Sequence, residues 1–460
     1  MPPLLRRQRG QALALALVLA VLGAAGLFHM FRTGQTLAHK TRLLNAADAA
    51  AFGAAVWRAR VLNFNAYANR AIIAQEVAVA QALTLQSWSR HFAQFSRNAS
   101  RMASVYPPLG AVFDTLAQTA EVARELAETT AAVEIRLRAA PGTGYKDLLQ
   151  ASQELLTLSA GVFGSSAVAN EVARANDARF FAFALPDAGA FNAFTRRYAS
   201  DPDRERLRDL VLRSLDEFTS GPRETDLVLW GLPSSCVLSI SSPAAWFQMY
   251  RKRGGTTLAP GLDRWEAADT ASMHDNRRRG LFGRRCRRVE ALPLGWGAAE
   301  AALEGPQGRI VARAGGVEVN PGALSFAERE LEDAAGLSTS EYVSVGMQGS
   351  YSGIARAREL AYENLDSRRF PRTRVAVLAR AEPSELFRNP GLERPAGRLR
   401  PAPAHAGGRL WALSAAQVHF VRPPSAPPRE EYASLYNPYW QARLAAPSLA
   451  ERMAAEAHVD

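Results

Sequence analysis

The residues of this chain that chemistry would draw on first are a stretch of carboxylates, a serine-bearing turn, two cysteines and a run of arginines. Glu328, Glu330, Glu332 and Asp333 crowd acids together, but at that spacing they read as the solvated face of a helix. Gly349-Ser350-Tyr351-Ser352-Gly353 is a flexible polar turn with tyrosine where a nucleophile elbow needs serine. A phosphate-cradling G-x-x-x-x-G-K-[ST] loop and an H-E-x-x-H zinc motif are both absent. Cys236 and Cys286 form no Cys-x-x-Cys pair and the histidines are scattered, which argues against a structural zinc site. Exported, the two thiols can join in a disulfide; two separate thiols, with Cys286 activated by its neighbouring arginines, is the alternative. Arg277, Arg278, Arg279, Arg284, Arg285, Arg287 and Arg288 are the densest charge in the chain. Such a run can neutralise phosphates of a polyanion. It lacks an aromatic platform for bases and is expected as a solvated loop. No catalytic, cofactor-binding or metal-ligating set emerges, so neither an enzyme nor a cofactor is expected.

The element that must position everything else is Gln11 to Phe31, which holds no Asp, Glu, Lys or Arg. At ~1.5 Å per residue it spans a hydrocarbon layer of ~30 Å. Arg6, Arg7 and Arg9 precede it, and Arg32, Lys40 and Arg42 follow, a near balance that favours a cytoplasmic N-terminus only weakly. Gly23-Ala24-Ala25 resembles a signal cleavage site, yet the apolar run continues to Phe31 with no turn signal. A retained anchor is the expectation and a cleaved signal the competitor. Either way the bulk is exported. At 48% hydrophobic residues, that bulk is globular. The net charge of +11 is nearly all arginine, compatible with anionic lipid, nucleic acid or envelope polymers.

Beyond the anchor, residues 36 to 95 carry no proline and keep helical apolar spacing at Leu44, Ala47, Ala51, Ala55, Leu62, Ala66, Ile73, Val77 and Leu83. Asn63, Tyr67 and Arg70 share one face, as do Asn65 and Asn69. Asparagine is a poor helix former, so Asn63, Tyr67 and Arg70 are expected to form a buried polar network against later helices, with a partner contact or a solvated helix face as the alternatives.

The arginine-flanked start, the membrane helix and the run Asn45-Ala46-Ala47-Asp48-Ala49-Ala50 beyond it resemble the N-terminal region of the TadE/TadG-like proteins of the Flp (tight adherence) pilus-assembly system. Residues 62 to 79 and the late Asn437-Pro438-Tyr439-Trp440 are similar to TadG-type chains. The resemblance implies an inner-membrane, single-pass protein with a cytoplasmic N-terminus, a large exported region and other pilus-assembly proteins as partners. Prepilin-like members carry Glu five residues after the cleaved glycine. Here Gly10 is followed at that distance by Leu15, which implies an uncleaved TadG-type member.

The fold class expected is α+β: a transmembrane helix continuing into a helical stem, then a mostly antiparallel β-containing region. Helices are predicted at residues 109–137, 145–178 with a break near Gly161 and Gly164, and from a cap at Asp201 with Pro202 in its first turn. Strands are predicted at 227–230, 236–240, 309–312, 342–347, 374–381 and 409–420, and helices at 325–335 and 448–457. Texture divides the chain into a cytoplasmic tail (1–10), anchor (11–31), helical stem (32–222), α+β domain (223–425) and C-terminal extension (426–460). The function expected is a non-enzymatic membrane-anchored pilus-assembly component, with no nucleic acid or small-molecule substrate. The alternatives are an exported hydrolase or sugar-binding protein released by signal cleavage, and an envelope protein binding an anionic polymer through its arginines.

Overall fold

Alanine-rich and free of proline, the first helix has nothing to stop it: α1 (Gln11–Ala103) is one continuous helix of 93 residues. The computed structural model describes residues 11–105, 107–187, 190–198, 200–228, 249–279, 285–303, 310, 318–335, 351–361, 372–381, 410–422, 424 and 432–458. Gly10, Cys236, Arg284 and the expected strands at 236–240 and 342–347 lie outside these residues. The side chains of Arg277, Arg278, Arg279, Arg285, Cys286 and Arg287 do as well. The start of α1 is long and apolar enough to cross a membrane, and none of that window is buried. Burial of one face of α1 begins near Leu43.

The folded part comprises two compact units, each assembled from separated segments: residues 1–64, 155–196 and 360–460 in one, and 65–154 and 197–359 in the other. In the first unit, β1 (Phe180–Ala184), β8 (Arg372–Ala381), β9 (Leu410–Phe420) and β10 (Trp440–Ala445) form an antiparallel sheet in the order β1-β8-β9-β10. Side chains alternate across it. Phe180, Ala182, Val375, Val377, Ala379, Ala416 and Val418 share a core with Leu43, Ala46, Ala47, Ala50, Ala51 and Ala54 of α1 and with Ala169 and Ala173 of α4 (Val162–Asn176). The opposite face, with Ala376, Leu378 and Ala415, meets Ala455 of α9 (Leu449–Glu456). A reciprocal capping box between Ser448 and Glu451 starts that helix.

The second unit is built on β3 (Thr225–Val228), β4 (Met249–Leu258), β5 (Arg264–Arg279) and β6 (Arg285–Ala302), an antiparallel meander in sequence order. Helix α8 (Pro321–Ala335) packs Ala327 and Leu331 onto Ala268 and Ala298. Glu290 accepts from the Gly322 and Ala323 amides at 2.6 and 2.9 Å, a carboxylate at the positive helix start. Residues Ser87 to Phe95 of α1 lie so close on β6 that a Cβ at Gly297 would collide with the Ser87 carbonyl oxygen. Helix α2 (Pro107–Ala139) runs along the same part of α1, joined by Arg90–Glu128 and Arg97–Glu121 ion pairs at 2.7 and 2.9 Å.

Helix and strand therefore coexist as α+β, with mostly antiparallel sheets after a long apolar N-terminal helix. The expected helices are present; α3 (Tyr145–Ser159) and α4 are separated at Gly161, and the cap of α6 (Asp201–Arg213) is Ser200 rather than Asp201. The long β4–β6 meander was not legible in the sequence. Its buried positions on the two faces include Thr256, Glu266, Asp269, Thr270 and Ser272, all polar, so no apolar alternation marks it.

Candidate functional site

Three buried polar nodes and one helix–strand clamp stand out from a core otherwise dominated by alanine. The clamp joins the two ends of the chain. Asn63 on α1 donates to the Trp440 carbonyl and accepts from the Trp440 amide, both at 3.0 Å. This reciprocal pair satisfies the backbone at the start of β10, where the chain arrives from Asn437-Pro438-Tyr439. The Trp440 ring is buried edge-on to Phe194 and Phe420. The late motif and the stem thus meet in one place. Of the earlier motif, Ala46, Ala47, Ala50 and Ala51 are core, Asn45 is exposed and Asp48 is partly covered.

The expected buried network of Asn63, Tyr67 and Arg70 is corrected. Asn63 is half-buried in the clamp, Tyr67 is 61% exposed and Arg70 is exposed. The buried polar stripe lies about 200° around the helix from that face, at Arg58, Asn65, Asn69 and Glu76. It was detectable in principle, because these residues interleave with Leu62, Ile72 and Leu83 at helical spacing. In the first unit, Arg58 donates to the carbonyls of Ala160 (3.2 Å) and Arg374 (2.7 Å), to Ser165 Oγ (3.0 Å) and to Asp187 (2.8 Å). Burial pulls its pKa down and Asp187 partly opposes that. In the second unit, Asn69 donates to the Arg358 carbonyl at 2.7 Å and accepts from Gln153 at 2.9 Å. Glu76 accepts from Lys146 Nζ (3.1 Å), Trp265 Nε1 (3.1 Å) and Tyr351 OH (2.8 Å). The turn expected to be flexible is in this part buried: Tyr351 is fully covered, and Gly353, at φ +77°, accepts from Lys146. Desolvation, then the Glu76 carboxylate, drive the Tyr351 phenol well above its ordinary pKa.

The third node, also in the second unit, centres on Asp269. Arg223 grips it bidentately at 2.8 and 2.9 Å, and Lys252 and Ser87 also donate to it. Desolvation pushes this carboxyl up, but the hydrogen bond and charge of Arg223, with Lys252, hold it below the usual carboxylate range. His91 lies beside this node, and neither ring nitrogen has a hydrogen-bond partner among the described residues. Burial pushes its pKa from 6.5 down to about 4, with Asp269 opposing and Lys252 and Arg223 reinforcing the shift. An unfolded chain takes up this proton near pH 6.5 and the folded chain near pH 4, so stability is lost as pH falls through that window. The loss is expected to reach about 3 kcal/mol at most; His274, also lowered by burial, acts in the same direction. Thermal unfolding at pH 7.5 and 4.5 checks it: His91→Leu should remove most of the difference, and an unchanged pH dependence would contradict the assignment.

Glu328 accepts from the Ile310 amide and Glu330 from Trp296 Nε1, leaving Glu332 and Asp333 exposed. A cleft of about 680 Å³ in the first unit is lined by Asp187, Arg374 and Glu451 among others. Both of its carboxylates are engaged, Asp187 by Arg58 and Glu451 by Arg374 at 2.8 Å. Desolvation raises Glu451, but Arg374 and Ser448 outweigh it and hold its carboxyl below the usual range. Among the described residues, no group of three or more His, Cys, Asp or Glu is placed to hold a metal ion. The arginine run expected on a loop is largely on paired strands, with Arg277 opposite Arg287 and Arg279 opposite Arg285. Comparison with family models, curated proteins and solved structures finds no match.

Proposed function

We propose that this protein is a non-enzymatic, single-pass inner-membrane component of a tight-adherence (Flp-type) pilus-assembly machinery, with a cytoplasmic N-terminus and its two folded units exported. The observation that carries the reading is the continuity of α1. The helix runs without a break from the uncharged, exposed segment 11–31, through Gly23-Ala24-Ala25, into the alanine face that packs on the first unit's sheet. A helix bound into a core at one end and apolar at the other suits a retained anchor better than a leader discarded by cleavage. The resemblance of residues 6 to 60 to TadE/TadG-like chains supplies the pilus context. The Asn63–Trp440 clamp adds a structural role for the late motif.

The full-length chain is expected to stay in the membrane fraction through carbonate and high-salt washing, with an N-terminal sequence that begins before Gln11. Loss of the gene is expected to abolish surface pili. A soluble mature chain beginning near Gly26 would overturn the anchor and favour a released protein. A mature chain beginning at Gln11 would show prepilin-type processing despite Leu15.

A further inference from the structure

Helix α2 buries one face and leaves another uncovered. Its buried residues are Gly110, Ala120, Ala127, Ala131, Ile135 and Ala139. The sequence spacing marks one face with Val112, Phe113, Leu116, Ala120, Ala123, Leu126, Ala127, Thr130, Val133 and Leu137 together; the structure splits it. Leu109, Val112, Leu116, Thr119, Ala123, Leu126, Thr130, Val133 and Leu137 are all exposed. They follow one another at alternating three- and four-residue steps from end to end of the helix, the a/d pattern of a coiled coil. No charged residue interrupts the stripe. Its large members and the flanking Val122 are 37% to 68% exposed. A soluble surface rarely leaves so long an apolar stripe uncovered unless something docks on it.

We propose that this stripe is a self-association surface, pairing antiparallel with α2 of a second copy of the chain. The heptad period specifies a helix as the occupant, because only a second helix supplies knobs at the same repeat. The order of residue sizes specifies the same helix reversed. With the two-fold axis between residues 124 and 125, Val112 faces Leu137 of the second copy, Leu116 faces Val133, Thr119 faces Thr130 and Ala123 faces Leu126. Each leucine meets a smaller side chain, the packing that fills an interface without voids, and the two threonines can hydrogen-bond to each other. Such a contact is isologous and closes at two copies. No like charges meet: Arg136, at the stripe's edge, falls near Thr115 of the second copy. The whole stripe with its flanking Val122 exposes on the order of 700 Å², so mutual cover would remove at most about 1,400 Å², within the ~1,200–2,000 Å² of specific interfaces. This inference does not depend on the pilus reading.

The full chain, purified in detergent, is expected to have the mass of a dimer. Leu126→Glu/Val133→Glu is expected to weaken dimerisation by at least about 100-fold while leaving the far-ultraviolet circular dichroism unchanged, since both side chains are exposed. In membranes, with Cys236 and Cys286 replaced by serine, copies carrying Thr119→Cys should cross-link to copies carrying Thr130→Cys, and neither should cross-link to itself. A monomeric wild-type chain, alone or bound to a different protein, would overturn the proposal, as would a dimer that survives the double substitution. Self-cross-linking of each single variant would indicate parallel pairing and overturn the register.

Discussion

Glu76→Gln is expected to destabilise the second unit by about 3–5 kcal/mol, because it leaves the buried Lys146 ammonium without its counter-charge. Both side chains of that pair are 1% exposed, at 3.1 Å, so water cannot take over. The glutamine oxygen can still accept from Tyr351 and Trp265, which share Oε2 of the carboxylate, but its amide nitrogen, a donor, then faces the Lys146 ammonium where Oε1 accepted. A loss of that size is a large part of the stability of an ordinary domain. The charge explanation separates from simple misfit through a second variant. Glu76→Gln/Lys146→Met removes both charges and is expected to recover most of the loss. Hydrogen exchange of the β4–β6 amides reads the effect within the unit, which matters because a chain of two units need not unfold in one step. Full protection in the single variant would show that the node contributes little; equal losses in single and double variants would assign the effect to packing.

Arg58→Met is expected to cost a similar amount, about 3–5 kcal/mol, in the first unit. The guanidinium reaches four acceptors on four stretches of chain: Ala160 before α4, Ser165 on α4, Asp187 after β1 and Arg374 on β8. Methionine fills much of the volume and lies as readily over Phe191, whose ring centre is 4.9 Å from the guanidinium carbon. What is lost is the hydrogen bonding and the counter-charge of Asp187; the Ala160 carbonyl still accepts from Ser165 Oγ, so the penalty falls mainly on the groups that lose their partner. Arg58→Lys should restore the charge but not the fork, and is expected to cost about 2 kcal/mol. Exchange rates at β8 and β9 measure both. A lysine variant as stable as the wild type would show that the charge alone matters.

The sequence by itself determined the features that depend on composition and local period. Gln11 to Phe31 needs only its lack of charge to be read as apolar enough for a membrane, and no proline stands in the way of α1. The β8 and β9 strands and the helices α2, α3, α4, α8 and α9 follow from local apolar pattern and from the glycine and proline breaks between them. The tertiary structure decided which of several adjacent stripes is inside. On α1, Asn63, Tyr67 and Arg70 and the stripe of Arg58, Asn65, Asn69 and Glu76 have the same helical spacing, and only the sheet and helices that pack on it select the second. On α2 the apolar positions wrap more than one face, so local period cannot say that α1 takes the alanines and leaves the leucines and valines uncovered. The β4–β6 meander escaped because its interior is partly ionic: Asp269 is tolerable there only through Arg223 and Lys252, distant in sequence. A buried charge carries no local signature; its partners do, and folding alone brings them within reach.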